Sequence, residues 1–278
     1  VIRTTGTHPY LVRDLKERAA KHASPIAGAG WLPVSDIAEG DYIAAPKPRL
    51  GVFIDDANMF YGRRKAGMTL DWQAIHDELA TRFDIVAMRY HLTVPRESDS
   101  SAFGKTQAFV RTLPACLALC EKPLKYIRAT RPDGTPDVEK KGDVDMEIAV
   151  DVWRHIEHLD AVLIFAGDSD YVALRDEILR RGRKVAFASF DQTISWEIRA
   201  QAHLLFDKIA VGNRTQNKAP SAGLGVLSHH LWYSPASMLS SRDKDGSVES
   251  GMAWVQVSAI EPVAEEQVFD IEVADTHN

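Results

Sequence analysis

Residues 163–171, Leu-Ile-Phe-Ala-Gly-Asp-Ser-Asp-Tyr, join an apolar run to two carboxylates and then to an amphipathic pattern. The run Val162-Leu163-Ile164-Phe165 predicts a strand buried on both faces of a parallel sheet. Gly167 ends it, and Val172, Leu174, Ile178 and Leu179 recur at helical spacing up to Gly182, a C-terminal stop signal. A strand, turn and helix in this order restrict the chain to α/β architectures. Ligands of open α/β sheets bind at the carboxyl ends of the strands. Asp168 and Asp170 therefore stand where a metal ion would be held, although one carboxylate there is expected simply to cap the helix.

Two further acidic segments follow the same logic. Gly51-Val52-Phe53-Ile54 reads as another buried strand and delivers Asp55 to a sheet edge, with Asn58 placed to hold Asp55 or a phosphate oxygen. Taken alone, Asp55-Asp56-Ala57-Asn58 is equally an Asp-rich turn. From Gly142 or Asp143 the sequence predicts a helix on which Asp145, Ala149 and Val152 share a face, at i, i+4 and i+7. Asp145 is then expected to point inward at the helix N-terminus and Asp143 to be the N-cap. Glu147 and Asp151 form a second i, i+4 pair that reads as a solvated stripe, with Asp151 close enough in register to support a site.

Residues 50–210 resemble a NYN domain of the LabA-like group, within the PIN-like nuclease superfamily. The resemblance rests on Phe53-Ile54-Asp55-Asp56-Ala57-Asn58, on Lys141-Gly142 with Val144-Asp145 and Asp151, and on Gly167-Asp168-Ser169-Asp170-Tyr171. Arg181-Gly182-Arg183-Lys184-Val185, Ser195-Trp196-Glu197-Ile198-Arg199 and Phe206-Asp207 fit the family's closing strand and helix. The order and spacing of these blocks carry the match. It implies a PIN-like, Rossmann-like parallel sheet with helices on both faces. It also implies a metal-dependent nuclease in which Asp55, Asp145, Asp168 and Asp170 bind Mg²⁺ or Mn²⁺, with Asn58 beside them. Lys-Gly-Asp-Val-Asp carries one residue more than the commonest Lys-Gly-Val-Asp form, so Asp143 competes with Asp145; the helical face favours Asp145. RNA as substrate rests on the family.

The chemistry of the residue types agrees. Hard divalent cations take oxygen ligands, and several carboxylates around one point are costly without a cation. Such an ion activates water and neutralises charge on a phosphodiester. No competing nucleophile constellation stands out: Ser169 lacks a His–carboxylate partner, and no Gly-x-Ser-x-Gly or Walker-type loop occurs. Cys116 and Cys120, four residues apart in an apolar stretch, read as buried thiols rather than a zinc site, and His229-His230 as structural or exposed. Arg63, Arg64 and Lys65 form one basic group, and Lys122, Lys125, Arg128, Arg131, Lys140 and Lys141, interleaved with Tyr126, form another. Each is as easily a solvated face as a phosphate contact. A net charge of −6 argues against a broad electrostatic hold on nucleic acid and favours a local basic rim.

The flanks differ. Short β-type runs from Val1 to Pro46 and from Trp254 to Val273 resemble two pieces of a Hint domain, the splicing domain of inteins. Thr5-Gly6-Thr7-His8 matches the intein Thr-x-x-His motif, and Phe269-Asp270-Ile271-Glu272-Val273 through His277-Asn278 matches the later motif. The resemblance implies that His8, with Thr5 beside it, polarises the upstream scissile peptide, and that Asp270 and His277 assist later steps. No Cys or Ser opens the chain, and Asn278 comes too early to be the cyclising residue, so splicing is not expected.

The expected organisation is therefore residues 1–48 as an N-terminal Hint piece, 49–212 as the NYN domain, 213–252 as a polar linker with a Hint hairpin, and 253–278 as the C-terminal Hint piece. Three readings compete: a nuclease carried in a partial all-β Hint scaffold, a non-catalytic RNA-binding NYN domain, and an autoprocessing fragment. RNA is favoured over DNA, although the intein setting raises the weight of DNA. No apolar stretch approaches the roughly 20 residues of a membrane span, and two cysteines do not suggest a disulfide framework. A cytoplasmic protein without membrane contact is expected.

Overall fold

The computed structural model describes residues 9–13, 22–23, 30–132, 134–199, 203–206, 252–257 and 260. They fall into two compact units, one spanning 48–233 and the other 1–47 with 234–278.

The larger unit is an α/β domain. Six parallel strands form its sheet: β5 (Arg49–Asp55), β6 (Asp84–Val94), β7 (Ala118–Pro123), β10 (Ala161–Phe165), β11 (Lys184–Ser189) and β12 (His203–Leu205), in the order β12-β11-β10-β5-β6-β7. Residues 50–55 and the whole of β10 are buried, as strands covered on both faces must be. Their side chains alternate between two cores. Leu50, Val52, Ile54, Leu163 and Phe165 pack with Met59 of α1 (Asp56–Ala66) and with Trp72, Ile75 and Leu79 of α2 (Trp72–Ala80). Phe53, Val162 and Ile164 face Ile148 and Val152 of α4 (Asp145–His155), Ile178 of α5 (Val172–Arg180) and Ile198 of α6 (Trp196–Arg199). Helix α3 (Ser100–Val110) links β6 to β7, and a hairpin of β8 (Lys125–Thr130) and β9 (Pro136–Lys141) precedes α4.

From β5 the chain runs outward through β6 and β7, then returns to build β10, β11 and β12 on the other side of β5. The switch point therefore lies between β5 and β10, whose carboxyl ends carry Asp55 and the Gly167-Asp168 turn. That crevice is where open α/β sheets bind ligands.

Helix α5 stops as its sequence indicates. Gly182 adopts φ +70, a left-handed conformation that glycine enters without steric cost, and Arg183 N–H closes on Ile178 O. The helix expected from Gly142 or Asp143 instead begins at Asp145, because β9 keeps the chain extended to Lys141. Asp143 is not its N-cap: Val144 holds that position without a side-chain cap, and Asp143 accepts from Lys122 Nζ.

The smaller unit contains a sheet in the order β13-β4-β1-β3-β2, with antiparallel pairing throughout: β1 (Pro9–Arg13), β2 (His22–Ala23), β3 (Gly30–Pro33), β4 (Tyr42–Pro46) and β13 (Met252–Gln256). Strands from both sequence flanks of the larger unit thus share one sheet, β13 lying against β4. Val12, Leu32 and Ile37 form its core. Thr5, His8, Asp270 and His277, the segment 213–251 and His229-His230 lie outside the described residues. Among the described residues, no helix is long and apolar enough to cross a membrane.

Candidate metal centre

Asp55 ends β5 and caps α1, its carboxylate accepting from Asn58 N–H at 3.1 Å and from Asn58 Nδ2 at 2.7 Å. The remaining Asn58 amide atom, Oδ1, accepts from Gly167 N–H at 3.2 Å. One side chain thereby ties the carboxyl end of β5 to that of β10. Gly167 leaves no room for anything larger. A Cβ there would stand 2.5 Å from Ser189 Oγ, 2.7 Å from Thr193 O and 2.8 Å from Ile194 Cα. Asp168 then accepts from Asp170 N–H at 3.2 Å, capping the short Ser169–Tyr171 turn.

The two-residue period of the sheet decides the rest. Asp55 shares a face with Phe53, the face covered by α4. The first residue of α4 is Asp145, and Tyr171 is buried between the two acids. Its hydroxyl donates to Asp55 Oδ2 at 3.0 Å and lies within hydrogen-bonding reach of Asp145. Burial, with Asp55 and Asp145 nearby, drives the Tyr171 phenol far above its ordinary pKa, so it remains a donor. The Asp145 carboxyl is also raised. Burial contributes most, and Asp55, Asp168 and Asp170 add to it against the hydrogen bond from Tyr171. Asp55, Asp168 and Asp170 thus all bear on the Asp145 carboxyl, and Asp168 and Asp170 are exposed. Asp143 does not join them: it is exposed and, with Glu147, occupied by Lys122.

A second polar group lies deeper on the same face. The pairing Asp55↔His91↔Cys120 across β5, β6 and β7 lines up three side chains, and Asp151 of α4 descends onto them. Asp151 is not part of a solvated stripe; it is buried. It accepts from Arg89 Nε at 2.7 Å and Nη2 at 3.3 Å, lies 3.0 Å from His91 Nε2, and accepts from Cys120 Sγ at 3.7 Å. Burial pushes its carboxyl up, but Arg89 and His91 outweigh this and hold it below the ordinary range. Burial lowers His91 and raises Cys120 to about 11, so both rest uncharged near neutrality. The ligand atoms of His91, Cys120 and Asp151 lie within 4.8 Å of one another, a donor set that could hold a metal ion. The Arg89 guanidinium already neutralises that carboxylate and would repel a cation beside it, so the group reads as a structural hub.

Tyr171, Arg89 and His91 are the residues that sequence reasoning left unassigned. A signal existed for two of them: in Met88-Arg89-Tyr90-His91-Leu92, polar residues alternate with the buried Met88, Tyr90 and Leu92. Four of the nine basic residues in the two groups are committed. Lys122 pairs with Glu147, Arg131 with Asp137 and Lys140 with Asp99, while Arg63 lies over the Phe60 and Phe109 rings. Cys116 and Cys120 are half-buried and free, and Cys120 sits on a strand.

The larger unit is therefore an α/β domain with an aspartate cluster at the switch point of a parallel sheet. The chain belongs to the NYN domain family, whose pattern matches residues 49–208. Low amplitude and bright protein LabA of Synechococcus elongatus is 24% identical over 151 residues, covering 54% of this chain and 78% of LabA. Among solved structures, a protein of unknown function from Vibrio parahaemolyticus aligns with a TM-score of 0.43 at 21% identity, over 57% of this chain and 92% of its own.

Proposed function

We propose that the 49–212 segment is a metal-dependent nuclease that hydrolyses phosphodiester bonds, with RNA favoured over DNA. The observation that carries this reading is the placement of Asp55 and of the Gly167-Asp168-Ser169-Asp170 turn at the carboxyl ends of the neighbouring strands β5 and β10, with Asp145 opening the helix that covers that face. Like charges gathered at one end of a sheet are relieved by a cation, and an all-carboxylate donor set suits Mg²⁺ or Mn²⁺. When bound, such an ion supplies an activated water and neutralises charge on the scissile phosphate.

The chain's own residues prepare that site. Asn58 and Tyr171 fix Asp55 from two sides, so its carboxylate is oriented before any ligand arrives. Tyr171, held protonated, positions the acids and cannot serve as a base. Asn58 likewise acts through Asp55, because both ends of its amide are already used. Asp168 and Asp170, being exposed, are the carboxylates open to an incoming phosphate and its ion. Family membership supports hydrolysis and RNA as the substrate.

The test is cleavage of single-stranded RNA and DNA by the full chain in Mg²⁺ or Mn²⁺, with Asp168→Asn and Asp145→Asn alongside. Each variant is expected to lose at least about a hundredfold in rate, equivalent to a few kcal/mol of transition-state stabilisation. Activity in EDTA, or full activity in both variants, overturns the reading. Binding without cleavage would favour a non-catalytic domain.

For the flanks we propose a partial Hint scaffold. What supports it is the antiparallel sheet in which β13 pairs with β4, although the residues of the larger unit separate them in sequence. On this reading, residues 49–212 fold alone, and cooperative unfolding of that fragment with retained cleavage is the expected result. A molten fragment would show that the flanks belong to its core.

A further inference from the structure

We propose that Tyr61 and Trp196 are base-stacking platforms that, together with Arg64 and Lys65, bind single-stranded RNA across the carboxylate cluster. The proposal rests on the nuclease reading for the identity of the cluster, but the binding surface is argued from its own residues. Tyr61 is 62% exposed and Trp196 is 77% exposed, leaving two large aromatic side chains in water. Full burial of a large apolar side chain is worth about 1.5–3 kcal/mol, so such exposure leaves a favourable interaction unused.

Both side chains are tied to the cluster by the backbone around it. On α1, Asn58 faces Asp55 and Gly167, and Tyr61 follows three residues later on the same side. Arg64 and Lys65 continue that stripe one turn further and are exposed. Tyr61 is backed by Phe60, whose ring meets it edge-on at 5.5 Å, and Arg63 lies 5.4 Å over Phe60. The ring therefore has support on one side before any base arrives. Gly62, on the adjacent face, lets α1 close on Phe190, since a Cβ there would lie 2.2 Å from that ring. Phe190 O then accepts from Thr193 and Ile194 N–H, and Ser195 N–H donates to Gly167 O at 2.7 Å. Trp196 is the next residue. Its helix packs on the Ser169–Tyr171 turn and is tied to α5 by Arg175 Nη1 donating to Glu197 O at 2.9 Å. Tyr61 and Trp196 thus belong to the two segments that frame Asp55 and Asp168.

The chemistry selects the occupant. An aromatic ring accepts the face of any base, but only a base freed from duplex stacking can reach it. Cations beside the aromatics meet phosphates, as charge complementarity requires of a polynucleotide approaching an acidic centre. The small number of cations agrees with a chain whose net charge is −6.

The test measures binding of the full chain to a fluorescent 12-nucleotide oligouridylate and to an RNA duplex, by anisotropy in EDTA at low salt. Tyr61→Ala and Trp196→Ala are each expected to weaken single-strand binding on the order of tenfold, with Trp196→Phe retaining most of it. The Arg64→Ala/Lys65→Ala double variant should flatten the slope of log affinity against log salt by roughly 1.4, about 0.7 for each phosphate that is no longer neutralised. Unchanged affinity in both aromatic variants overturns the proposal, as does wild-type preference for the duplex or no binding to the single strand. Self-association that Trp196→Ala abolishes, with RNA affinity unchanged, assigns the aromatics to a second copy and also overturns it. None of these outcomes touches the nuclease reading, which stands or falls on metal-dependent cleavage lost in Asp168→Asn.

Discussion

Replacing Asp151 by alanine tests whether the group beneath the aspartate cluster is a structural hub or a metal site. The side chain is 5% exposed and is the shared acceptor for Arg89 and Cys120, with His91 Nε2 also on it. Breaking a buried ion pair by removing one partner costs about 3–5 kcal/mol. Arg89 is 29% exposed and can turn partly to water, which moves the cost toward the lower end. His91 is 2% exposed, loses the partner of Nε2, and has an Nδ1 without a hydrogen-bond partner, which moves the cost back up. A loss of about 3 kcal/mol lowers the melting temperature by roughly 6–12 °C for a domain of this size. The assay is urea and thermal unfolding followed by circular dichroism, with and without EDTA. An Arg89→Met/Asp151→Leu pair, which removes both charges, should recover most of the loss. A loss below about 1 kcal/mol refutes the hub. EDTA destabilising the wild type but not the Asp151→Ala variant would show that the group holds a metal.

Tyr171→Phe keeps the ring but removes the donor to Asp55, so Mn²⁺ affinity measured by calorimetry should fall about tenfold while the melting temperature in EDTA changes little; unchanged affinity would deny the hydroxyl a positioning role. Asp145 has a raised folded pKa, so its ionised form opposes folding: the stability it provides is full below the unfolded pKa of about 3.9 and is lost as pH rises through the folded pKa. Asp145→Asn should therefore melt higher than wild type at pH 7 in EDTA, with the gain disappearing below about pH 4; a lower melting temperature at pH 7 contradicts this. Gly167→Ala would push a methyl against Thr193 O and Ile194 Cα, backbone atoms that cannot rotate away, and should cost about 1–3 kcal/mol in urea unfolding together with most of the cleavage activity.

Local pattern alone determined β10, the Gly167 turn, α5 with its Gly182 stop, and the delivery of Asp55 by β5, because a strand buried on both faces and an amphipathic helix are written in neighbouring residues. It also placed Asp145 on the inward side of its helix, since side-chain spacing fixes which residues share a face. What a face meets is not a local property. The hub of Asp151 with Arg89, His91 and Cys120 exists only because β6 lies beside β5, and β7 beside β6, in a particular parallel register, which brings residues 31 to 62 positions apart into contact. The different placement of Asp143 and Asp145 turned on the same kind of fact. Strand β9 holds the chain extended to Lys141 and Lys122 claims Asp143, so the helix starts two residues later, with Asp145 turned to Tyr171 and the other acids. In the sequence Tyr171 is only the last residue of the Gly167-Asp168-Ser169-Asp170-Tyr171 block, with no role of its own. Only the packing of α4 against the β5–β10 edge makes its hydroxyl the link between Asp55 and Asp145, because a buried donor takes whichever acceptors the fold sets around it.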